Sequence, residues 1–228
     1  MPGGHNFTIM ATFVLVHGGN MSAETWNRLS GKNRYPPGMH LGPRYWEDTA
    51  AFLRDHGHTV LSPALGDEFT HSLSDHIARV CDLITENDLR GIILAGHSYG
   101  GFVITSVAAR LPKRVRNLVY LDSALPEPGE SLMDILGWVY TGTHAALLPG
   151  PSLAYTEKIR YDPATIRGLR KTYIRCTKSE FSAVTSQSRE KIAAAPGGWA
   201  YLEIPSSHVP MADRPRRLNG IMLSIAGR

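Results

Sequence analysis

Cysteine is scarce in this chain, whose 228 residues contain only Cys81 and Cys176. Two cysteines are too few for the disulfide framework on which small secreted domains depend. Cys81 belongs to an apolar stripe of helical spacing together with Ile77 and Ile84, so it is predicted to be buried in a helix. The chain also lacks an apolar run long enough to span a membrane.

Targeting signals and concentrated charge are missing as well. The apolar segment 7–16 has neither the basic leader nor the cleavage-like site of a signal peptide, so it is predicted to be a core strand. The net charge is +4, and the densest basic cluster, residues 110–116, lies between a predicted helix and a predicted strand. That position favours a solvated connection over a nucleic-acid-binding surface. We therefore expect a cytoplasmic protein with no nucleic-acid or membrane partner, and no pattern indicates its oligomeric state.

The composition is that of an ordinary globular protein, with 43% hydrophobic and 19% charged residues. A chain of this length suits one domain, residues 1–228, with a modest insertion. Short apolar segments alternate with helix-compatible ones, which predicts an α/β fold with a mainly parallel sheet covered on both faces. Right-handed crossovers then favour an open, doubly wound sheet of six strands, in which the first strand lies inside the second. Strands are predicted at 11–16, 58–62, 91–95, 115–121, 171–175 and 199–204, and helices at about 44–56, 72–87, 101–110, 180–194 and 212–226.

Two long segments interrupt this alternation. Residues 20–43 form a polar and aromatic loop where a short connection would suffice, and residues 123–170 contain two or three short helices after the fourth strand. The first segment is predicted to line the rim of the active site, although a surface loop without a functional role is the alternative. The second segment is predicted to form a small helical lid over the carboxyl ends of the strands.

Residues Gly96-His97-Ser98-Tyr99-Gly100 match the nucleophile-elbow pattern G-x-S-x-G. The match follows the apolar run 92–94 and precedes a helix-compatible stretch, which is the strand–turn–helix context that the pattern requires. Its glycines let the strand and helix backbones approach each other, and the serine is expected to have a strained conformation. Ser98 is therefore predicted to be a nucleophile beside the crevice between the first and third strands, where ligands bind in such sheets.

A serine hydroxyl needs an adjacent base that is itself oriented by a carboxylate. In chains with this motif the acid and the histidine follow the serine, and only His144 and His208 follow Ser98. His208, in the loop after the last strand, is favoured over His144 in the predicted lid. Asp122 and Glu180 are the carboxylates at the carboxyl ends of strands. Asp122 is favoured because an aspartate that closes an apolar strand is costly to bury without a partner, and Glu180 is the alternative.

Backbone N–H groups are expected to stabilise the negative charge that develops on a substrate oxygen. Tyr99, directly after the nucleophile, is predicted to supply one N–H, and Gly19, in the loop after the first strand, is predicted to supply the other. Gly18, Asn20 and Trp26 lie in or close to that loop and are predicted to contact the substrate.

The other histidines near these segments are given structural roles. His17 precedes the loop that follows the first strand and is expected to bond the backbone of that loop. His56 and His58 flank a glycine, which could suggest a metal site, but they are predicted to form the turn into the second strand. Neither a metal nor a cofactor is expected.

These segments together resemble the α/β-hydrolase superfamily, and in particular the small-lid branch with methyl-salicylate-type methylesterases, hydroxynitrile lyases and their bacterial esterase relatives. The resemblance runs over most of the chain, from Phe13-Val-Leu-Val-His-Gly18 through the elbow to Ser207-His-Val-Pro-Met211. It implies the same nucleophile, base and oxyanion donors. The plant members carry their aspartate after the fifth strand, where this chain has Lys178-Ser179-Glu180. The bacterial relatives look as though they use the position of Asp122.

The resemblance implies acyl transfer in two steps on a small-molecule carboxylic ester or lactone. Ser98 attacks the carbonyl, His208 carries the proton to the leaving alcohol, and water then hydrolyses the acyl-enzyme. Two alternatives stay open, a ligand-binding member of the same fold that is inactive or weakly active, and a C–C lyase like the hydroxynitrile lyases. The lyase is disfavoured because Gly18 and Val209 stand where the plant lyases resembled here have a threonine and a lysine.

Overall fold

The computed structural model describes residues 10–19, 21–139, 152–195 and 197–227. Within these residues, six strands form one sheet in which every neighbouring pair is parallel. They are β1 (Thr12–Val16), β2 (Thr59–Leu61), β3 (Ile92–His97), β4 (Val115–Leu121), β5 (Arg170–Cys176) and β6 (Trp199–Ile204). Their order across the sheet is β2-β1-β3-β4-β5-β6. The predicted open, doubly wound sheet is confirmed, since β1 lies inside β2 and the winding reverses between β1 and β3.

Helices cover both faces of the sheet, and alternate residues of β1 show why. Phe13 and Leu15 belong to one buried apolar cluster, whereas Val14 and Val16 belong to another on the opposite face. Since successive side chains of a strand point to opposite faces, a strand covered on both sides is apolar throughout. The helices are α1 (Ala23–Ser30), α2 (Glu47–Asp55), α3 (Leu73–Glu86), α4 (Gly100–Arg110), α5 (Leu132–Val139), α6 (Leu153–Thr156), α7 (Pro163–Ile166), α8 (Ser182–Ala194), α9 (Pro210–Asp213) and α10 (Pro215–Ala226).

Two predicted helices differ from those in the structure. The helix predicted at 44–56 begins with a 3₁₀ turn, Gly42–Trp46, before α2. The helix predicted at 212–226 is divided into α9 and α10 at Arg214. Proline disfavours the helical conformation in the residue before it, and Pro215 follows Arg214 directly. No helix within the described ranges has both the length and the apolar character needed to cross a membrane.

The segment 20–43 is only partly a loop, which corrects the prediction. It contains α1, capped by the Ser22 hydroxyl, which accepts the N–H of Thr25 at 3.2 Å. Trp26 is 2% exposed, and its ring lies edge-on to Tyr35 and Tyr45 with centroid distances of 6.0 and 5.1 Å. The aromatic residues that suggested a rim therefore pack into the core and hold the segment in place.

Short helices occupy the segment between β4 and β5, as expected. The described part of that segment contains α5, α6 and α7, and residues 140–151 lie outside it. The helix α6 packs against α3 and α5. The main chain of α6 is also bound to the loop before α3, because the N–H of Ala154 donates to the carbonyl oxygen of Glu68 at 3.2 Å.

Candidate active site

The turn between β3 and α4 has the tight geometry that the elbow motif predicts. Ser98 has a φ of +53°, in the left-handed region that costs free energy for a residue with a side chain. A Cβ on Gly96 would lie 2.5 Å from the carbonyl oxygen of Gly100, and one on Gly100 would lie 2.9 Å from the carbonyl oxygens of Val16 and His17. Both glycines are therefore required by the close approach of neighbouring backbones.

Two predicted site residues from distant parts of the chain meet beside the elbow. His208 follows β6 and Asp122 follows β4, and the imidazole Nδ1 lies 2.7 Å from Asp122 Oδ2. The Asp122 side chain is fully buried, and its other oxygen, Oδ1, accepts the N–H of Cys176 at 2.8 Å. A carboxylate that accepts two hydrogen bonds is satisfied in its ionised form. Since Nδ1 donates to it, the neutral imidazole of His208 keeps Nε2 as an acceptor.

Glu180, the alternative acid, contacts a different part of His208. Its Oε2 accepts the backbone N–H of His208 at 3.2 Å. The neighbouring Phe181 ring packs on the imidazole with a centroid distance of 4.4 Å. Asp122 thus binds the imidazole Nδ1 of His208, and Glu180 binds the backbone N–H of the same residue. His144, the other candidate base, lies outside the described residues.

The loop after β1 packs directly on the elbow. A Cβ on Gly18 would lie 3.0 Å from the Cβ of Ser98, so this position has no room for a side chain. His17 Nδ1 donates to the carbonyl oxygen of Gly18 at 2.6 Å, and its Nε2 accepts the N–H of Leu65 at 3.2 Å. Burial lowers the pKa of His17, which keeps the ring neutral in this arrangement. The role expected for His17 is confirmed, and the loop that carries Gly19 lies against the turn.

A residue that sequence reasoning missed covers this loop. Tyr155 of α6 is 4% exposed, and a Cβ on Gly19 would overlap its hydroxyl. The Tyr155 hydroxyl donates to Glu68 Oε1 at 3.1 Å, and its ring lies edge-on to Tyr99 at 5.1 Å. Burial raises the pKa of Tyr155, so the phenol keeps its proton. The segment after β4 thus contacts both residues that are predicted to supply the oxyanion donors.

The remaining substrate-contact predictions fare differently. Trp26 packs in the core, so the prediction that it contacts substrate is wrong, because a side chain 2% exposed offers no free surface for stacking. Asn20 lies outside the described residues. Among the residues that the structure does describe, no group of three or more histidine, cysteine, aspartate or glutamate side chains is placed to hold a metal ion.

A cavity of about 210 Å³ opens beside the imidazole of His208. It lies on the side of the ring where α1 and the loop after β5 meet. Two exposed side chains of opposite charge, Arg28 and Glu180, contribute to its wall. The rest of the wall is mostly apolar and consists of Met21, Thr25, Leu29, Tyr45, Phe181 and Val209.

The chain is similar to several known proteins over part of their length. A carbendazim hydrolyzing esterase of Nocardioides sp. (strain SG-4G) is 41% identical over 137 residues, which are 56% of this chain and 48% of that protein. This chain spans about half to two thirds of the length of the curated relatives that it matches.

Solved structures show the same fold at low sequence identity. An extracellular alpha/beta-hydrolase from a Paenibacillus species, described as sharing structural and functional homology to tobacco salicylic acid binding protein 2, has a TM-score of 0.69. It is 21% identical and covers 94% of this chain and 98% of its own. A methylesterase from Arabidopsis has a TM-score of 0.67 at 17% identity, over 96% of this chain and 99% of its own.

The sequence model of the Alpha/beta hydrolase family matches residues 13–221. The match begins in β1 and ends in α10, so it includes the elbow, Asp122 and His208. The resemblance stated from the sequence is confirmed, and this chain belongs to the alpha/beta hydrolase family.

Proposed function

We propose that this chain is a carboxylic ester hydrolase that acts through Ser98, His208 and Asp122 and forms a covalent acyl-enzyme. The observation that carries the proposal is the 2.7 Å contact of His208 Nδ1 with the buried Asp122 carboxylate, beside a serine with a φ of +53°. Since the carboxylate holds the proton of His208 on Nδ1, Nε2 is free to accept the proton of a serine hydroxyl. The esterase from Nocardioides supports the same reaction class.

The reaction has two halves with the same base. Ser98 Oγ bonds to the carbonyl carbon while its proton passes to His208 Nε2, and the negative charge moves to the carbonyl oxygen. The N–H groups of Gly19 and Tyr99 stabilise that charge. The imidazolium next gives its proton to the leaving alcohol oxygen as the carbon–oxygen bond breaks. A water molecule then attacks the acyl carbon with His208 again as base, and the carboxylic acid leaves Ser98.

The cavity beside His208 supports a small substrate with one apolar group. Its volume is about 210 Å³, and a cavity of roughly 150 Å³ already binds benzene. The acyl or the alcohol part of the substrate would then be no larger than a substituted ring. The esterase from Nocardioides acts on carbendazim, according to its name, so we include carbendazim among the compounds to test.

We further propose that the chain is a single domain, residues 1–228, in which the segment 123–170 forms a lid. The contact between Tyr155 and Gly19 supports the lid, because it places a side chain of that segment on the loop beside the elbow. In this arrangement the segment excludes water from one side of the site. Exclusion of water strengthens the electrostatic contribution of the oxyanion donors.

Turnover of p-nitrophenyl acetate, aryl methyl esters, lactones and carbendazim tests the proposal, with Ser98→Ala as the control. We expect Ser98→Ala to lower kcat at least about a thousandfold at an unchanged melting temperature, because the hydroxyl provides the covalent route. A fluorophosphonate probe should label Ser98 in the unaltered protein. A protein that binds these esters but neither turns them over nor reacts with the probe would instead be a ligand-binding member of the family. Normal hydrolysis by Ser98→Ala would refute the mechanism.

A further inference from the structure

His97 is the last residue of β3 and precedes the nucleophile, and its side chain is 0% exposed. Its Nε2 lies 2.7 Å from the backbone carbonyl oxygen of His208, and the two imidazole rings have a centroid distance of 4.6 Å. A carbonyl oxygen can only accept a hydrogen bond. His97 Nε2 therefore carries the proton and donates a hydrogen bond to the main chain of His208, the residue that we propose as the base.

The other ring nitrogen of His97 has no such partner. Within the described residues, Nδ1 is buried and makes no hydrogen bond. The Nδ1 atom packs against the loop after β1, since a Cβ on Gly18 would lie 3.1 Å from it. Burial lowers the pKa of His97 well below its usual value, so the ring stays neutral. A buried acceptor without a partner is unfavourable, and a phenyl ring at this position would avoid that cost. A phenyl ring could not, however, supply the hydrogen-bond donor that His97 has at Nε2.

Three side chains bind three different polar groups of His208. Asp122 after β4 binds Nδ1, Glu180 after β5 binds the backbone N–H, and His97 in β3 binds the carbonyl oxygen. Each of these groups of His208 therefore has a partner on a different part of the sheet edge. The group left for the reaction is Nε2.

We propose that His97 is a positioning residue, whose Nε2–H fixes the carbonyl of His208 and thereby sets the imidazole relative to Ser98. This inference rests on the proposed function. The peptide bond makes His97 and Ser98 neighbours, so the hydrogen bond ties the base directly to the nucleophile turn. A displacement of about 1 Å in a reacting group can cost on the order of a hundredfold in rate. The loss of this restraint should lower kcat and leave KM unchanged, because His97 is buried away from the substrate.

A matched pair of substitutions tests this role. In His97→Gln the amide nitrogen takes the place of Nε2 and can still donate to His208, whereas in His97→Asn it takes the place of Nδ1 and cannot reach. We expect His97→Asn to lower kcat for p-nitrophenyl acetate at least about tenfold, and His97→Gln to retain it within about threefold. KM should stay the same in both. Equal losses in the two variants, or a loss confined to KM, would overturn the proposal.

A second measurement does not depend on turnover. In the unaltered protein labelled with ¹⁵N-histidine, the imidazole nitrogens report which one is protonated, and the signals missing from His97→Gln identify those of His97. We expect the Nε2–H form. The Nδ1–H form cannot donate to His208 and would overturn the proposal. Absence of Ser98-dependent turnover in the unaltered protein would instead refute the esterase function. The protonation state of His97 would still be measured independently of that result.

Discussion

The carboxylate of Asp122 and the imidazole of His208 meet at 2.7 Å although 86 positions separate them in the chain. They follow β4 and β6, so β5 lies between them in the sheet. Cys176, at the end of β5, donates its N–H to the second oxygen of the same carboxylate. Asp122 therefore reaches across the end of the intervening strand. Its backbone has a φ of +44°, in the left-handed region. Because parallel strands end at one edge, the fold brings these residues together.

The two candidate acids are distinguished by substitution. Asp122→Asn should lower kcat by about a thousandfold or more, because the amide no longer stabilises the imidazolium or fixes its tautomer. Glu180→Gln should lower kcat less than about tenfold, since the amide oxygen still accepts the N–H of His208. Steady-state kinetics with p-nitrophenyl acetate measures both, with thermal melting as the control for folding. The reverse ranking would assign the acid to Glu180.

Substitutions at two glycines should have different effects because the atoms around the two glycines differ. In Gly96→Ala the new methyl group meets the backbone of Gly100, which cannot move without opening the elbow. In Gly19→Ala it meets the end of the Tyr155 side chain, which can rotate away. We expect Gly96→Ala to lower the melting temperature strongly, whereas Gly19→Ala should fold and lose activity.

The double variant Gly19→Ala/Tyr155→Ala provides the control for the second case. If the overlap with Tyr155 causes the loss, the double variant should be as active as Tyr155→Ala alone. A Gly19→Ala protein with full activity would contradict the expected loss and would show that the site tolerates a displaced Tyr155.

Local patterns were sufficient to predict most of the fold. The elbow and the strands rest on short apolar segments, which neighbouring residues determine. The position of β1 inside β2 follows from the right-handed crossovers of parallel strands. β4 and β6 have the predicted bounds, Val115–Leu121 and Trp199–Ile204. The contact of Asp122 with His208 could be predicted because both residues follow strands whose carboxyl ends lie at the same edge of the sheet.

The packing of side chains from the two long segments could not be predicted in this way. Tyr155 lies on a helix of four residues, too short for a periodic pattern, and its place on Gly19 depends on how the whole segment packs. The polar and aromatic segment 20–43 was predicted to line the rim of the active site, with Trp26 in contact with the substrate. Trp26 packs against Tyr45, which lies outside the segment, and both Trp26 and Tyr35 belong to one buried apolar cluster.

The role of α1 is tested by two substitutions on the same helix. Trp26→Ala should lower the free energy of unfolding by about 3–5 kcal/mol, because it removes a buried aromatic side chain and leaves a cavity. Arg28→Ala should change it by less than about 0.5 kcal/mol, since Arg28 is exposed. Urea unfolding followed by tryptophan fluorescence or circular dichroism measures the difference. Equal effects would mean that α1 does not pack as described.

Buried histidines should make the protein less stable as the pH falls below neutrality. Burial lowers the pKa of His17, His76 and His97, and that of His76 to about 4. In the unfolded chain a histidine has a pKa near 6.5, so between this value and the lower folded pKa the unfolded state binds more protons. The stability is fully present above about pH 6.5 and decreases as the pH falls towards 4. Each such histidine contributes a slope of at most about 1.4 kcal/mol per pH unit.

His76→Asn isolates one of these contributions. The asparagine does not titrate, and its amide can still bond the Tyr99 hydroxyl, which lies 2.9 Å from His76 Nδ1. We expect the variant to lose less stability than the unaltered protein between pH 6.5 and 5 in urea unfolding. His40→Asn, at an exposed position, is the matched control and should retain the full dependence. The carboxylates with lowered pKa, such as Asp75, lose their contribution only below about pH 4, outside this window. Identical slopes for His76→Asn and the unaltered protein would show that His76 is not held neutral by burial.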